Sequence, residues 1–294
     1  MNTAVSGTSG STMQGILLMC AGVACLCAND AVAKALTAGY SPLQILFLRN
    51  VIALPVTVFI AVAVGGWPVL RSYRPAAHLF RGVLWVGATF MFFTSFTSLP
   101  LAEATALIFV APFFITLISA LFLGEKVGWR RWLAVLAGFL GVLVIVRPGG
   151  AAFQFVSLLP VAAALVYALL MLSARWVDPR ESVWTLLVYL TGAGALIGAL
   201  IVPFVWIPVR SDDLWLFAAV AFFGTAGMTM MTQAFRLVPA VVVAPLDYTG
   251  LLWATLFGWL IWRESPDAAT LFGAAIIIAS GVFSILREKR QGNP

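Results

Sequence analysis

The chain has 294 residues, of which 62% are hydrophobic and only 10% charged, with a formal charge of +6 at pH 7. Soluble domains carry about a quarter charged residues, so no aqueous fold hides this much apolar surface and lipid must be the solvent. The positive charge does not signal nucleic acid, because its lysines and arginines sit in short breaks between apolar runs and suit an anionic lipid surface instead.

The first dozen residues, Met1 to Thr12, are small, polar and uncharged, without the basic start of a cleavable signal, so the first apolar run is expected to be retained. A membrane-crossing helix needs about 20 apolar residues. Runs that qualify cover residues 14–36, 43–64, 77–97, 101–123, 132–146, 155–174, 183–202, 214–235, 240–262 and 268–286. Their periodicity is helical; barrel strands would alternate over much shorter segments. The expected fold is an all-α polytopic membrane protein with ten transmembrane helices.

The second half repeats the first. Ser98-Leu99-Pro100 is echoed by Leu237-Val238-Pro239, and Glu125 by Glu264, at one common offset. With five spans each, the halves point in opposite directions, and an inverted pair around a central cavity is a common way to build a two-gated transport site. The join falls at Arg147-Pro148-Gly149-Gly150, dividing the chain into repeats 1–148 and 149–294. With the N-terminus inside, the inner loops hold Arg71, Arg74, Arg81, Lys126, Arg130, Arg131, Arg175, Arg180, Arg236, Arg287, Lys289 and Arg290, while the outer loops hold only Arg147, Arg210 and Arg263. That bias places both termini in the cytoplasm of a bacterial-type inner membrane.

Polar groups inside spans cost several kcal/mol unless solvated or paired, so they mark candidate sites. The first span carries Asn29, a candidate substrate contact, then Asp30 and Lys34, one turn apart and suited to pair with each other. Cys20, Cys25 and Cys27 are read as packing residues. Arg49 in the second span needs compensation: by snorkelling, by Glu103 or Asp30, or by a substrate carboxylate. The third and eighth spans are rich in glycine and hydroxyl residues, and Thr225, Thr229 and Thr232 share one face, with Gln233 a candidate contact. In the ninth span Pro245 bends the helix ahead of Asp247, the leading candidate for a substrate ammonium or a proton relay. Pro112 bends the fourth span in the same way. Trp85, Tyr167, Tyr248 and Trp253 are deep enough to stack on a flat substrate, and His78, the single histidine, is read as interfacial or gating.

The chain resembles the drug/metabolite transporter superfamily in its ten-helix EamA-type branch, over about residues 14–286. The telling residues are the span endings Leu121-Phe122-Leu123-Gly124-Glu125-Lys126 and Leu260-Ile261-Trp262-Arg263-Glu264-Ser265, each after a proline-bearing helix, together with Arg49. The second ending departs from the family pattern, with Trp262-Arg263 where Leu-Gly is common. The resemblance implies two inverted five-helix halves with helices five and ten at the periphery, and carriage of small metabolites. Within the superfamily the chain is similar to aromatic amino-acid exporters of the YddG type. A nucleoside, polyamine or cationic-drug exporter, a channel and a lipid-modifying enzyme are the competing readings. The chain lacks a GxxxxGK phosphate loop, a His/Cys metal cluster and a nucleophile-base set, so neither enzyme activity nor a cofactor is expected.

Overall fold

The computed structural model describes residues 9–122, 129–148, 153–178, 180–238 and 243–291, and all regular structure among them is helical. Glu125, Lys126, Gly149, Gly150 and Pro239 lie outside the described residues, as do the side chains of Arg175, Arg236 and Pro245. In chain order the helices are α1 (Ser9–Leu36), α2 (Pro42–Gly65), α3 (Pro75–Ser95), α4 (Leu101–Ile108), α5 (Ala111–Phe122), α6 (Trp129–Val146), α7 (Leu158–Leu172), α8 (Val183–Ile201), α9 (Leu214–Leu237), α10 (Gly250–Trp262) and α11 (Ala268–Gln291). Seven helical stretches are long and apolar enough to cross a bilayer: Met13–Leu36, Pro42–Gly65, Pro75–Ser95, Leu101–Phe122, Phe155–Leu172, Val183–Phe204 and Ser211–Phe235. Val135–Val146 and Ala268–Phe283 are shorter apolar helices. Large side chains stand bare on the outside, with Phe59 73% and Phe122 79% exposed, a surface that lipid solvates and water does not.

The uninterrupted spans expected at 101–123 and 240–262 are both broken. The α4 helix ends at Ile108, four residues before Pro112, whose ring clashes with that carbonyl and which has no N–H to donate. In the second half a 3-10 stretch, Ala244–Thr249, carries Pro245 and precedes α10. The breaks adjoin: the Phe109 ring meets Tyr248 edge-on at 5.2 Å, and a Cβ on Gly250 would touch Phe109 at 3.3 Å.

Packing pairs the two halves. The α1 helix runs along α9, α3 along α7, α2 along α8, and α6 along α11, while α4 meets α10. Exchanging α1 with α7, α2 with α8, α3 with α9 and α6 with α11 returns these same pairs. Glycines let the backbones approach. A Cβ on Gly227 would lie 2.9 Å from the Gly22 carbonyl oxygen between α9 and α1, and one on Gly273 would lie 2.6 Å from that of Gly141 between α11 and α6.

Polar contacts tie the bundle at both ends. At one end Lys34 Nζ donates to Glu264 Oε2 at 2.6 Å and to the Leu99 carbonyl at 3.0 Å, and Glu264 also accepts from the Leu101 N–H at 3.3 Å. The expected Asp30–Lys34 pair does not form, because this tertiary partner offers a shorter bond and Leu99 a second acceptor. Beside it, Tyr40 donates to Asp213 at 2.7 Å, and Gln44 exchanges hydrogen bonds with the backbone of Ile207. At the other end His78, on α3, pairs with Glu181 at 2.5 Å with both side chains essentially buried. His78 is enclosed by protein at this end of the bundle, stacked on Tyr189 at 4.4 Å. Burial works to raise the Glu181 carboxyl, but hydrogen bonds from His78, the Tyr73 N–H and Ser72 outweigh it and hold the group below the ordinary carboxylate range.

Two helix ends carry direct predictions. Arg263 closes α10 in the left-handed region, φ 59°, with its own N–H and that of Glu264 bonding back to Trp259 and Gly258. This is the position where the resembled family commonly has glycine, which adopts that conformation without a Cβ penalty. Arg263→Gly is expected to raise stability by about 1 kcal/mol in a thermal melt. Asp267 accepts from the Thr270 N–H at 2.8 Å, capping α11, and pairs with Arg147. The Arg147 pair and the Thr270 bonds bring its pKa down to about 2, so its contribution is complete above the ordinary carboxyl range and is lost as pH falls through about 2. Asp267→Ala should cost about 1 kcal/mol near neutrality, and acid-melt curves should converge with those of the parent near pH 2.

Candidate functional site

Arg49 lies two turns into α2 and is 8% exposed. Among the described residues no hydrogen bond or ion pair holds its guanidinium. It stands 5.9 Å from the centre of the Trp85 ring on α3, and its charge is felt by Asp30 on α1. Glu103, the other partner weighed for it, turns instead to Ser157 at 3.4 Å. Gly224 of α9 makes room: a Cβ there would come within 2.7 Å of Arg49 Nη2 and 2.9 Å of both Arg49 Nε and Asn29 Oδ1.

Arg49, Trp85 and Gly224 border a cavity between α2, α3, α8 and α9, which runs down α2 from Arg49 past Asn50, Ala53 and Thr57 to Ile60. Trp184 and Thr191 of α8 and Thr225 and Thr229 of α9 complete its wall. At 1.5 Å per residue the α2 stretch measures about 16 Å. The cavity volume is about 50 Å³. Each water needs roughly 10–15 Å³ on this measure, so a few waters fit and an amino acid does not. Two buried polar atoms on this side have no partner, Asn29 Oδ1 and Trp184 Nε1. With the guanidinium they form a set of unmet hydrogen-bonding groups, which is costly unless water or a ligand answers them.

The structure brings Asn29, Asp30, Arg49 and Trp85 together. Asn29 Nδ2 donates to Asp30 Oδ1 at 2.9 Å, which fixes the amide with its oxygen outward. Asp247 and Tyr167 form a second group: both are exposed on segments packed among other helices, and they interact electrostatically with one another and, through Tyr167, with Arg81. Cys27, which donates to the Gly250 carbonyl at 3.3 Å, is near enough to feel the charges of both Asp30 and Asp247. Tyr248 is turned away: its hydroxyl fills the space that a side chain on Gly281 would need, and it has no hydrogen-bond partner. Trp253 stacks on Phe257 at 6.3 Å against the cluster around Met19 and Val23. Gln233 is half-buried two turns past Thr225, while the Thr232 hydroxyl is spent on the Met228 carbonyl at 2.7 Å. Sequence reasoning missed Trp184, Asn50 and Glu181. The one available signal was Glu181 itself, an acid beside a span in an otherwise basic set of loops, opposite the single histidine.

Comparison with known proteins fits this arrangement. The sequence pattern of the EamA-like transporter family matches residues 13–147 and again 154–286. The S-adenosylmethionine uptake transporter of Rickettsia conorii is 28% identical over 270 residues, 90% of each chain. The riboflavin transporter of Rhizobium johnstonii is 32% identical over 234 residues, 77% of this chain and 75% of that one. The pseudopaline exporter CntI of Pseudomonas aeruginosa is 27% identical over 268 residues, 89% of this chain and 92% of its own. A crystal structure with 22% identity superposes at a TM-score of 0.64 over 97% of this chain and 99% of its own, a likeness of fold. A bundle of apolar helices around a cavity that carries a buried arginine and two matches to one family pattern lead to one conclusion: the chain belongs to the EamA-like transporter family and is a multi-pass membrane transporter of small metabolites, not an enzyme.

Proposed function

We propose that the chain is an alternating-access exporter of amino acids with aromatic or other hydrophobic side chains, built from two inverted five-span repeats, 1–148 and 149–294, with both termini cytoplasmic. The observation that carries it is the cavity lined by both Arg49, whose guanidinium has no hydrogen bond among the described residues, and the Trp85 ring. A guanidinium suits a carboxylate, and an indole suits a flat or apolar side chain. The symmetric helix pairing supports the inverted repeat, and the paired breaks near Pro112 and Pro245 supply bending points. On this orientation the Lys34–Glu264 end faces outward and the His78–Glu181 end inward. A cavity too small for substrate is what a closed state of such a cycle requires.

Counterflow in proteoliposomes tests it. Labelled phenylalanine should accumulate against unlabelled phenylalanine or tryptophan and not against lysine; no amino-acid signal at all rejects the reading. Arg49→Gln should slow exchange at least about tenfold, since a hydrogen bond to a charged group contributes about 1.5–3 kcal/mol. A second reading is favoured by the Rickettsia relative: S-adenosylmethionine joins an amino-acid head to a flat base, and it belongs in the same assay.

A further inference from the structure

We propose that the groove between α2, α3 and α8 is a binding site for an anionic phospholipid, which lays one acyl chain in the groove and its phosphate against Arg71 and Arg74. Leu54, Leu70, Leu79, Val188 and Leu196 line a space of about 340 Å³. The two polar side chains on its wall are already engaged, His78 with Glu181 and Tyr189 with the Leu70 carbonyl at 3.2 Å, so the groove suits hydrocarbon. Gly192 keeps it deep. A Cβ there would meet only Leu54 Cδ1, at 3.9 Å, and a longer side chain would grow into the space between α8 and α2.

Depth and position match one leaflet. From Leu54 to the end of α2 at Gly65 is about 16 Å at 1.5 Å per residue, half of a hydrocarbon core about 30 Å thick. The mouth lies where α2 has ended and α3 begins, at Leu70 and Pro75. Trp67 and Tyr73 on this connection are exposed, as is Trp176, whose carbonyl accepts from Arg74 at 3.2 Å; such rings favour the headgroup level. Arg71 and Arg74 adjoin the two mouth residues and are exposed. The acids of this end are committed elsewhere, Asp178 to Arg180 and Glu181 to His78. Positive charge above bare hydrocarbon is the complement of an anionic lipid. Because α2 and α3 come from the first half and α8 from the second, the seated chain bridges the halves, and binding to this arrangement stabilises it.

The test uses the purified full chain in detergent and two dioleoyl lipids that differ only in the head, anionic phosphatidylglycerol and zwitterionic phosphatidylcholine. Binding is read by thermal shift and by the lipid retained in native mass spectra. Phosphatidylglycerol should bind at least about tenfold more tightly, as two arginines beside one anionic head predict. Arg71→Gln should narrow that preference, and Arg71→Gln/Arg74→Gln should remove it. Gly192→Leu should melt like the parent in bare detergent and lose the retained lipid. Glycerol 3-phosphate, a head without chains, should give no shift. Equal binding of the two lipids by the parent chain overturns the site even where a variant fails to fold. So does a Gly192→Leu protein that keeps the full preference, which would put the arginines on ordinary boundary lipid. A glycerol 3-phosphate shift equal to that of the lipid would mean a free-phosphate site, and a dimer that excludes lipid would mean a second copy in the groove; either overturns the proposal. None of these readouts uses transport, so the lipid site stands or falls apart from the amino-acid assignment above.

Discussion

Lys34→Met is expected to destabilise the protein by about 2–3 kcal/mol, below the range of about 3–5 kcal/mol for breaking a fully buried ion pair, because Glu264 keeps 29% of its side chain exposed. The Lys34 side chain is only 7% exposed, and its ammonium lies 2.6 Å from Glu264, with the Trp262 ring 4.9 Å away. Methionine keeps the stem and deletes the charge. Glu264, still bonded to the Leu101 N–H, is then a carboxylate in poor solvent without its cation. The double variant Lys34→Met/Glu264→Gln should recover much of the loss, because the desolvation of both charges disappears with the attraction between them. A thermal melt in detergent decides it. A single variant that melts with the parent would mean the pair is open in solution. The same contact ties α1 to the loop after α10 and to the turn between α3 and α4, so the single variant should also speed thiol labelling of Cys27, which is 6% exposed.

Gly227→Leu is expected to cost about 3 kcal/mol, the upper part of the range for overpacking. The first side-chain carbon would stand 2.8 Å from Leu26 and 2.9 Å from the carbonyl oxygen of Gly22. Leu26 has rotamers to yield, but the Gly22 carbonyl is part of the α1 backbone, so the helices themselves must part. Because α1 and α9 form one of the main crossings between the halves, the lesion should lower maximal exchange more than it changes apparent affinity. Gly227→Ala, with only the methyl, should lie between the two. Parent-like melting and exchange for the leucine variant would show that the crossing is loose.

Much of this architecture was legible as hydrophobic run length, since a 20-residue apolar stretch has few options in lipid. The helix breaks were half legible. Pro112 announced a bend, but the contact of this break with the one in the second half, Phe109 against Tyr248, joins residues remote in sequence. Pairings were the least legible. Helical spacing puts Asp30 beside Lys34, yet a partner 230 residues away wins because the fold brings a bidentate carboxylate to a lysine already bonded to Leu99. His78 was legible as a residue at the end of a span, but its burial against Glu181, 103 residues on, was not. At the site, Arg49, Asn29 and Trp85 were recoverable as polar or aromatic anomalies inside spans. Trp184 was not, because in a chain with 11 tryptophans nothing local separates a wall residue from a lipid anchor.

A cavity of about 50 Å³ has a thermodynamic corollary. On the alternating-access proposal, room for cargo exists only in conformers that have swung apart, so cargo binds to those alone. If the shut form outnumbers the open one by about a hundred to one, measured dissociation constants are inflated by about that factor over the intrinsic value. Weak apparent affinity in this carrier then reports how firmly the bundle shuts rather than how poorly the ligand fits, and substitutions that loosen the bundle can look like gains in recognition.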